Sequence, residues 1–350
     1  MEKYAKIFML TFKLNMDYYL VHRDNKEENT MQKINISCGS VNLIMATDSN
    51  EIINFFLHNR DTVRETIPGV EVKKIDSNVE MVEPYIIYTN SNDRKVVIDS
   101  NNNKAIIRFP IQELFFPDLV YLVLSMMSKE LNKLNKYFIH CSIVEKNNKG
   151  IMIVGDPGSG KTTLSLYLSM NNNFDFVCND RALLEFFNGV PYVTAGTLET
   201  SIRVGVIPQF FPLLMEKINT SSLENPWNSR FYLNPEFENL GIKVKSSTPI
   251  THVLFTLTYP TTASQTRLEK YDNSKRQDVS ILKTMGCFSQ YIRANNNMLI
   301  SAEYPFPSFD TTELAYKRLK DVKRFVQSTE MYSARGDIKS LANMIDQLVV

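Results

Sequence analysis

A glycine-rich loop in the middle of the chain carries the residues best suited to chemistry. The nine residues of this loop are Gly155, Asp156, Pro157, Gly158, Ser159, Gly160, Lys161, Thr162 and Thr163. They fit the pattern G-x-x-x-x-G-K-[ST], in which backbone N–H groups surround a phosphate. Lys161 supplies a mobile positive charge, and the Thr162 hydroxyl is a suitable ligand for Mg²⁺. The pattern predicts a polyphosphate site, with ATP and Mg²⁺ as its ligands.

A second group of candidate residues follows the helix that the loop is expected to begin. Phe174–Cys178 has the apolar pattern of a strand, and Asn179 and Asp180 come at its end. A carboxylate at this position lies beside the phosphates, so Asp180 is a candidate Mg²⁺ ligand or general base toward an acceptor hydroxyl. The alternative interpretation is an aspartate that caps a turn.

His140 lies in another strand-like run, Tyr137–Glu145, and the turn at Lys146–Gly150 leads from this run into the strand before the loop. A hairpin of this kind places His140 next to the loop strand, where it could orient Asp180 or relay a proton. The alternative is a buried histidine with a structural role. Asp180, His140, Lys161 and one arginine, Arg203, form the candidate catalytic set.

Two arginines are candidates for contact with the phosphate groups. Arg203 and Arg267 could each stabilise charge on a moving phosphoryl group, since arginine forks bind phosphate oxygens, and a solvated surface position is the alternative for both. Glu199 is a further candidate for a metal contact. One predicted helix carries basic residues that we interpret as its solvated face. These residues are Lys317, Arg318, Lys320, Lys323 and Arg324.

Composition narrows the class of protein. The chain has 350 residues, of which 43% are hydrophobic and 22% are charged, which is typical of globular proteins. A net charge of +1 argues against nucleic acid as a partner. The sequence contains no run of about 18 apolar residues and no secretory leader pattern, so we expect no membrane contact and a cytoplasmic location. The four cysteines are scattered and predict free thiols rather than a zinc site or disulfides.

The apolar pattern divides the chain near Pro110. Residues 1–110 contain short β-like runs and one helical run, Glu51–His58, which predicts an accessory α+β domain. The predicted strands here are Lys6–Phe12, Val41–Met45, Glu71–Lys73, Tyr85–Tyr88, Lys95–Asp99 and Lys104–Arg108. An Asn-rich turn between the last two runs predicts a hairpin.

Residues 111–350 are predicted to form an α/β domain around the glycine-rich loop. Its predicted helices are Val120–Leu134, Ser274–Met285, Thr312–Val326 and Ile338–Leu348. Beyond the runs already named, its predicted strands are Ala182–Phe187, Arg230–Leu233, Ile242–Lys245 and His252–Thr258. Asn188-Gly189, directly after the first of these strands, predicts a tight hairpin turn.

Three segments together resemble the core of the HPr kinase/phosphorylase family, which is related to phosphoenolpyruvate carboxykinases. They are Phe138–Val144, Gly150–Thr162 and Val177–Asp180. The resemblance extends over about residues 137–185, weakens to about residue 260 and is absent from the N-terminal part. It implies a mixed-sheet kinase core of P-loop type, Mg²⁺-dependent transfer from ATP to a serine or threonine hydroxyl, a histidine before the hairpin and an acidic pair after the next strand. It also implies a possible homo-oligomer.

One departure from the family matters, because the family has two consecutive aspartates where this chain has Asn179-Asp180. An amide can hold a metal or a water but cannot take a proton, so Asp180 is the only candidate base of the pair. We expect the reaction to run mainly forward, onto the hydroxyl of a peptide, a protein or a small molecule other than HPr. The alternatives are a non-catalytic ATP-binding regulator and, less favoured, a motor-type or transporter ATPase.

Overall fold

The computed structural model describes residues 31–217, 225–233, 237–259, 263–271, 274–293 and 299–349. The strand predicted at Lys6–Phe12 lies outside the described residues. None of the described helices is long and apolar enough to cross a membrane. The described chain is a mixed α/β structure with two large mixed sheets and two short two-stranded ribbons.

The first sheet has six strands in the order β3-β1-β2-β4-β6-β5. Its strands are β1 (Gln32–Cys38), β2 (Val41–Thr47), β3 (Val70–Ile75), β4 (Tyr85–Asn90), β5 (Lys95–Asp99) and β6 (Lys104–Phe109). Between β2 and β3 lie the helices α1 (Asn50–His58) and α2 (Arg60–Thr66). The predicted hairpin is confirmed, since β5 and β6 pair antiparallel on either side of the Asn-rich turn. Strand β1 has no counterpart among the strands predicted from the sequence.

Helix α3 (Phe116–Lys133) connects the two sheets and confirms the helix predicted at Val120–Leu134. Pro117 lies in its first turn, where a missing N–H is tolerated. Most of its apolar side chains are fully buried in one cluster with the first sheet, together with Phe138, Leu183 and Tyr291 from later parts of the chain. The domain boundary near residue 110 stays a prediction.

The second sheet has nine strands. Seven follow the order β10-β8-β9-β15-β12-β11-β7, and β19 pairs with both β15 and β16. Its strands are β7 (Tyr137–Ile139), β8 (Ser142–Lys146), β9 (Lys149–Val154), β10 (Asp175–Cys178), β11 (Ala182–Phe187), β12 (Val190–Gly196), β15 (Thr248–Thr258), β16 (Arg267–Lys270) and β19 (Glu330–Gly336). The two ribbons are β13 (Ser201–Arg203) with β14 (Arg230–Tyr232) and β17 (Leu299–Ile300) with β18 (Tyr304–Pro305).

Helices cover both faces of this sheet. They are α4 (Lys161–Asn171), α5 (Ile207–Phe210), α6 (Ser274–Ser289), α7 (Thr312–Ser328) and α8 (Ile338–Leu348). Short 3-10 helices lie at Ile111–Glu113, Val204–Val206, Pro212–Lys217 and Ala263–Gln265. Apolar residues of α4 and α8 share one buried cluster with the sheet, and those of α6 and α7 share another. The three C-terminal helices predicted from the sequence are confirmed.

Three predictions for this half are wrong. Tyr137–Glu145 is not one strand, because β7 pairs with β11 while β8 pairs with β9 and β10, so the chain changes partners at His140. Ile242–Lys245 forms no strand, since only Val244 bridges to β10. Arg318 is not on a solvated face. It is fully buried and bonds to Asn132 and Asp310.

The strand directions bring several segment ends to one edge of the second sheet. β9, β15 and β19 are mutually parallel, so their carboxyl ends meet at that edge. β8 runs antiparallel to both β9 and β10, so the start of β8 and the end of β10 lie at the same edge. Open α/β sheets bind ligands at the carboxyl ends of their strands, so a ligand site is expected at this edge.

Candidate functional site

The loop at residues 155–160 joins β9 to α4 and packs closely against the end of β15. A Cβ atom on Gly155 would lie 2.5 Å from Ser159 Oγ, and one on Gly160 would lie 1.8 Å from Thr258 Oγ1. Thr258 bonds to the carbonyl of Ser159 through both its N–H and its hydroxyl. Gly158 and Gly160 also have positive φ angles of 83° and 89°. The tight turn therefore requires glycine at these positions.

Lys161 begins α4 and points back into the loop. Its residue is only 7% exposed, and Nζ donates to the carbonyls of Gly155 at 2.8 Å and Asp156 at 3.2 Å. Burial lowers the pKa of this amine, although the nearby Asp180 opposes the shift. The N-cap residue of α4 is Gly160, which has no side chain to bond the first N–H groups of the helix. These donors and the helix dipole favour an anion at the loop.

Asn179, at the end of β10, links three parts of the site. Its Oδ1 accepts hydrogen bonds from Ser142 Oγ at 2.7 Å and Thr162 Oγ1 at 2.8 Å. Its Nδ2 donates to the carbonyl oxygen of Glu199 at 3.1 Å. A carboxylate could accept the first two bonds but could not donate the third. The amide at this position is therefore part of a satisfied network.

Asp180 follows with a left-handed backbone, at φ 69°, which aspartate tolerates better than most residues. Its carboxylate lies 2.9 Å from Arg181 Nη1 and 3.4 Å from His140 Nδ1. About a third of the side chain, 37%, is exposed. Asp180 is thus a partly solvated carboxylate between a fixed cation and an imidazole.

His140 reaches Asp180 from the break between β7 and β8. Burial lowers the pKa of this imidazole, although the carboxylate of Asp180 opposes the shift, so the neutral ring is favoured. Tyr291 Oη lies 3.4 Å from His140 Nδ1. The two residues that sequence reasoning paired, His140 and Asp180, are neighbours in the structure. A neutral imidazole can exchange a hydrogen bond with an adjacent carboxyl group.

Arg181 is a site residue that sequence reasoning missed. It is only 9% exposed, and Nη1 donates to the carbonyl of Glu65 at 2.9 Å. Its guanidinium also lies 5.6 Å from the ring centre of Tyr121 and 5.7 Å from that of Tyr291. Arg181 therefore ties Asp180 to α2, α3 and the segment after α6. Its position next to Asp180 was the one signal in the sequence.

Glu199, suggested as a metal contact, takes part in a carboxyl pair. Its side chain hydrogen-bonds that of Glu65, whose pKa is raised to about 7, mainly by burial and further by Glu199 itself. Burial therefore favours the protonated form of Glu65, and Glu199 is engaged with Glu65 and, through its carbonyl, with Asn179.

A cavity of about 550 Å³ opens beside the loop, at the carboxyl ends of β9, β15 and β19. Lys161, Thr162 and Thr163 line it together with residues that the sequence did not suggest. These are chiefly Phe210, Trp227, Arg230, Tyr259 and Asp337. His140, Asn179 and Asp180 are outside this lining and lie at the ends of the neighbouring strands β8 and β10. The edge of the sheet therefore carries a cavity on one side of the loop and an acid–histidine pair on the other.

Arg203 lines this cavity, whereas Arg267 does not. Arg203 stands directly opposite Arg230 in the β13–β14 ribbon. Arg203 Nη1 donates to Trp227 O at 2.8 Å, and Arg230 Nη1 donates to Ser201 Oγ at 3.0 Å. No carboxylate among the described residues pairs with either arginine. Like charges directly opposite each other in a ribbon are unfavourable, so an anion between them would relieve the repulsion.

Comparison with known proteins gives little. No family model matches the chain, and no curated protein matches it. Among solved structures, the HPr(Ser) kinase/phosphatase from Coxiella burnetii matches at 13% identity, with 61% of this chain and 93% of that chain covered. The TM-score is 0.28, and a likeness at that level carries no argument about activity.

Proposed function

We propose that this protein is an ATP-dependent phosphotransferase that transfers the γ-phosphate to a hydroxyl of a peptide, a protein or a small molecule. The observation that carries the proposal is the position of Lys161. This buried amine points into a glycine loop at the start of α4, on the same sheet edge as the pair Asp180 and His140. The sequence resemblance to the HPr kinase/phosphorylase family supports the same reaction and a homo-oligomeric assembly. The proposed location is the cytoplasm.

The donor set fits Mg²⁺, which prefers oxygen ligands and binds through one or two carboxylates, phosphates and water. The proposed ligands are the Thr162 hydroxyl and the Asp180 carboxylate. Asn179 can join them only by giving up one of the two hydrogen bonds that its Oδ1 accepts. No group of three or more His, Cys, Asp or Glu side chains suited to a metal occurs among the described residues. When bound, Mg²⁺ would neutralise phosphate charge.

In the proposed reaction, Asp180 accepts the proton of the acceptor hydroxyl. The acceptor oxygen forms a bond to the γ-phosphorus, and the bond from that phosphorus to the β–γ bridging oxygen breaks, which leaves ADP. Lys161 and Arg203 bind the phosphate oxygens as negative charge moves onto the leaving group. His140, favoured in its neutral form, orients the Asp180 carboxyl group and can exchange a proton with it.

The alternative function, a non-catalytic ATP-binding regulator, is favoured by one observation. Asp180 is held in an ion pair by Arg181, which is itself fixed by contacts to Glu65, Tyr121 and Tyr291. A carboxylate held in this way can serve to attach the loop region to the first half of the chain. ATP binding would then reorganise this attachment without transfer.

Two variants separate the functions. Lys161→Ala should weaken Mg-ATP binding about 10- to 100-fold in calorimetry, because a charge-assisted contact is lost, whereas the exposed Lys320→Ala should bind normally. Asp180→Asn should lower transfer by about 10²–10⁴. Mg-ATP affinity should stay within a few-fold if Asp180 acts as the base alone, and should fall as well if its carboxylate is a main Mg²⁺ ligand.

Transfer is measured by mass spectrometry with ATP and a degenerate library of Ser- and Thr-containing peptides, followed by a panel of small hydroxyl compounds. ATP binding that depends on Lys161, with no phosphate gained by any acceptor and no ADP formed, would establish the regulator instead. Normal ATP affinity of folded Lys161→Ala would remove the nucleotide site itself.

A further inference from the structure

The cavity beside the loop has an aromatic wall that phosphate binding does not explain. Trp227, the only tryptophan of the chain, lines it and is 54% exposed. Phe210 also lines the cavity, together with the aliphatic side chains of Ile202, Val206 and Ile338. A half-exposed indole is unfavourable in water, and such surfaces in clefts commonly mark ligand contacts.

The position of Trp227 is fixed by its surroundings. Its backbone N–H donates to Asn225 Oδ1 at 2.9 Å, and its backbone carbonyl accepts from Arg203 Nη1 at 2.8 Å. The indole lies against Gly205, where a Cβ atom would come within 2.6 Å of the ring. Gly205 N–H in turn donates to Pro226 O at 3.0 Å. The turn therefore fixes the backbone of Trp227, and the indole packs against Gly205 with about half of the residue exposed.

The charged and aromatic walls of the cavity suit two different parts of one ligand. The cavity is lined by Lys161 and the start of α4, by the opposed pair Arg203 and Arg230, and by Trp227, whose carbonyl Arg203 contacts. A nucleoside triphosphate combines the same two kinds of chemistry, since it has charged phosphates and a planar π-system. The volume of about 550 Å³ is within the usual range for small-molecule sites.

We infer that Trp227 is the base-stacking residue of the nucleotide site. The inference rests on the proposed function and deepens it, because it assigns the part of the ligand that the glycine loop does not bind. Every nucleobase has a π-face, so stacking alone tolerates different bases. ATP and GTP should therefore bind with similar affinity, and both should bind more tightly than inorganic tripolyphosphate, which has no base.

The test compares two ligands and three variants of the full chain by calorimetry. Trp227→Ala should weaken Mg-ATP binding roughly 5- to 100-fold, the usual effect of removing a stacking aromatic residue, and should leave tripolyphosphate affinity unchanged. Trp227→Phe should retain much of the ATP affinity, because a smaller ring can still stack. The control is Phe187→Ala, which removes a half-exposed aromatic ring on the β11–β12 hairpin, outside the cavity, and should change neither affinity.

The outcomes distinguish this inference from the function on which it rests. If ATP binds with dependence on Lys161 but Trp227→Ala binds it normally, or loses ATP and tripolyphosphate equally, the stacking role is wrong and the nucleotide site stands. If neither ligand binds the wild-type chain, both proposals fail.

A second measurement uses the single tryptophan as its own reporter. Its fluorescence should change when ATP binds and should not change with tripolyphosphate. The same change with both ligands would overturn the assignment, since the indole would then respond to phosphate alone.

Discussion

Replacing Asn179 by aspartate creates two consecutive aspartates, and the structure predicts that this change harms the protein. The side chain is 7% exposed and uses both ends of its amide. Aspartate could still accept from Ser142 and Thr162, but its carboxylate would face the carbonyl oxygen of Glu199, to which Asn179 Nδ2 now donates at 3.1 Å. A favourable contact becomes a repulsive one.

The magnitudes decide the sign of the effect. Losing the donor to a buried carbonyl costs about 1–3 kcal/mol, and placing a charge in a buried position adds several more. The hydrogen bonds that the hydroxyls of Ser142 and Thr162 donate are each roughly twice as strong to a carboxylate as to an amide, and they offset part of this destabilisation. We expect a net loss of about 2 kcal/mol in the free energy of unfolding at pH 8.

The loss should depend on pH in a defined direction. Burial and the facing carbonyl favour the protonated acid, which can donate to Glu199, so the folded pKa of the introduced carboxyl lies above its unfolded value of about 3.9. A raised pKa gives stability at low pH that disappears as pH rises through the folded value. Asn179→Asp should therefore approach wild-type stability near pH 5 and fall below it at pH 8.

The assay is urea unfolding of Asn179→Asp and the wild type at both pH values. Asn54→Asp serves as the control, because it introduces the same charge at an exposed position of α1. Equal stability of Asn179→Asp and the wild type at pH 8, or a difference that does not change with pH, would refute the reasoning from the Asn179 network.

Three further predictions concern single groups. Burial lowers the pKa of His252 from 6.5, so the stability that this residue contributes is present above pH 6.5 and is lost as pH falls below it. In urea unfolding, the free energy of unfolding of His252→Gln should therefore fall less between neutral and acid pH than that of the control His58→Gln, which changes an exposed histidine. Burial raises the pKa of Glu65 from 4.5 to about 7, so this residue stabilises the fold at low pH and the effect is lost as pH rises through 7. The free energy of unfolding of Glu65→Gln, measured with urea, should therefore exceed that of the wild type at pH 8 but not at pH 5. Gly160→Ala should lower the free energy of unfolding by about 1–3 kcal/mol and should abolish ATP binding. The control Gly189→Ala has a similar φ of 85° but open space around it, so it should lower the free energy of unfolding through backbone strain and leave ATP affinity in calorimetry unchanged.

Local signals in the sequence were sufficient for much of the fold. The period of 3.6 residues located the long helices, and Asn-rich or Asn-Gly turns located the hairpins β5–β6 and β11–β12. The position of the glycine loop, between β9 and α4, followed from apolar runs on either side. These features depend on residues close together in the chain, which is why a single sequence contains them.

Features that depend on distant partners were missed. The break at His140 arises because β7 pairs with β11 and not with the hairpin strand that follows it. Arg181 finds the carbonyl of Glu65 at a separation of 116 residues and the hydroxyl of Tyr121 at 60. No periodicity within β10 or β11 could indicate either contact.

Arg318 shows how a pattern of charge misleads. It lies four residues from both Leu314 and Val322, which are buried, so helical geometry places it on the buried face of α7. Its guanidinium bonds there to Asn132 Oδ1 at 2.9 Å and Asp310 Oδ2 at 2.5 Å. A buried arginine is tolerated only with such partners, and they come from other segments of the chain.

The cluster of apolar residues around α3 joins the first sheet to parts of the chain that adjoin the glycine-rich loop. Leu183 and Tyr291 belong to this cluster. Leu183 follows Arg181 closely in the chain, and the ring of Tyr291 lies 5.7 Å from the guanidinium of Arg181. A core shared in this way tends to unfold as one cooperative unit. A ligand that binds only the folded state adds about 2.7 kcal/mol to that unit's stability at a hundred times its Kd. If the loop binds nucleotide as proposed, the ligand should thus protect the six-stranded sheet from proteolysis, although none of the described residues of that sheet lines the cavity beside the loop.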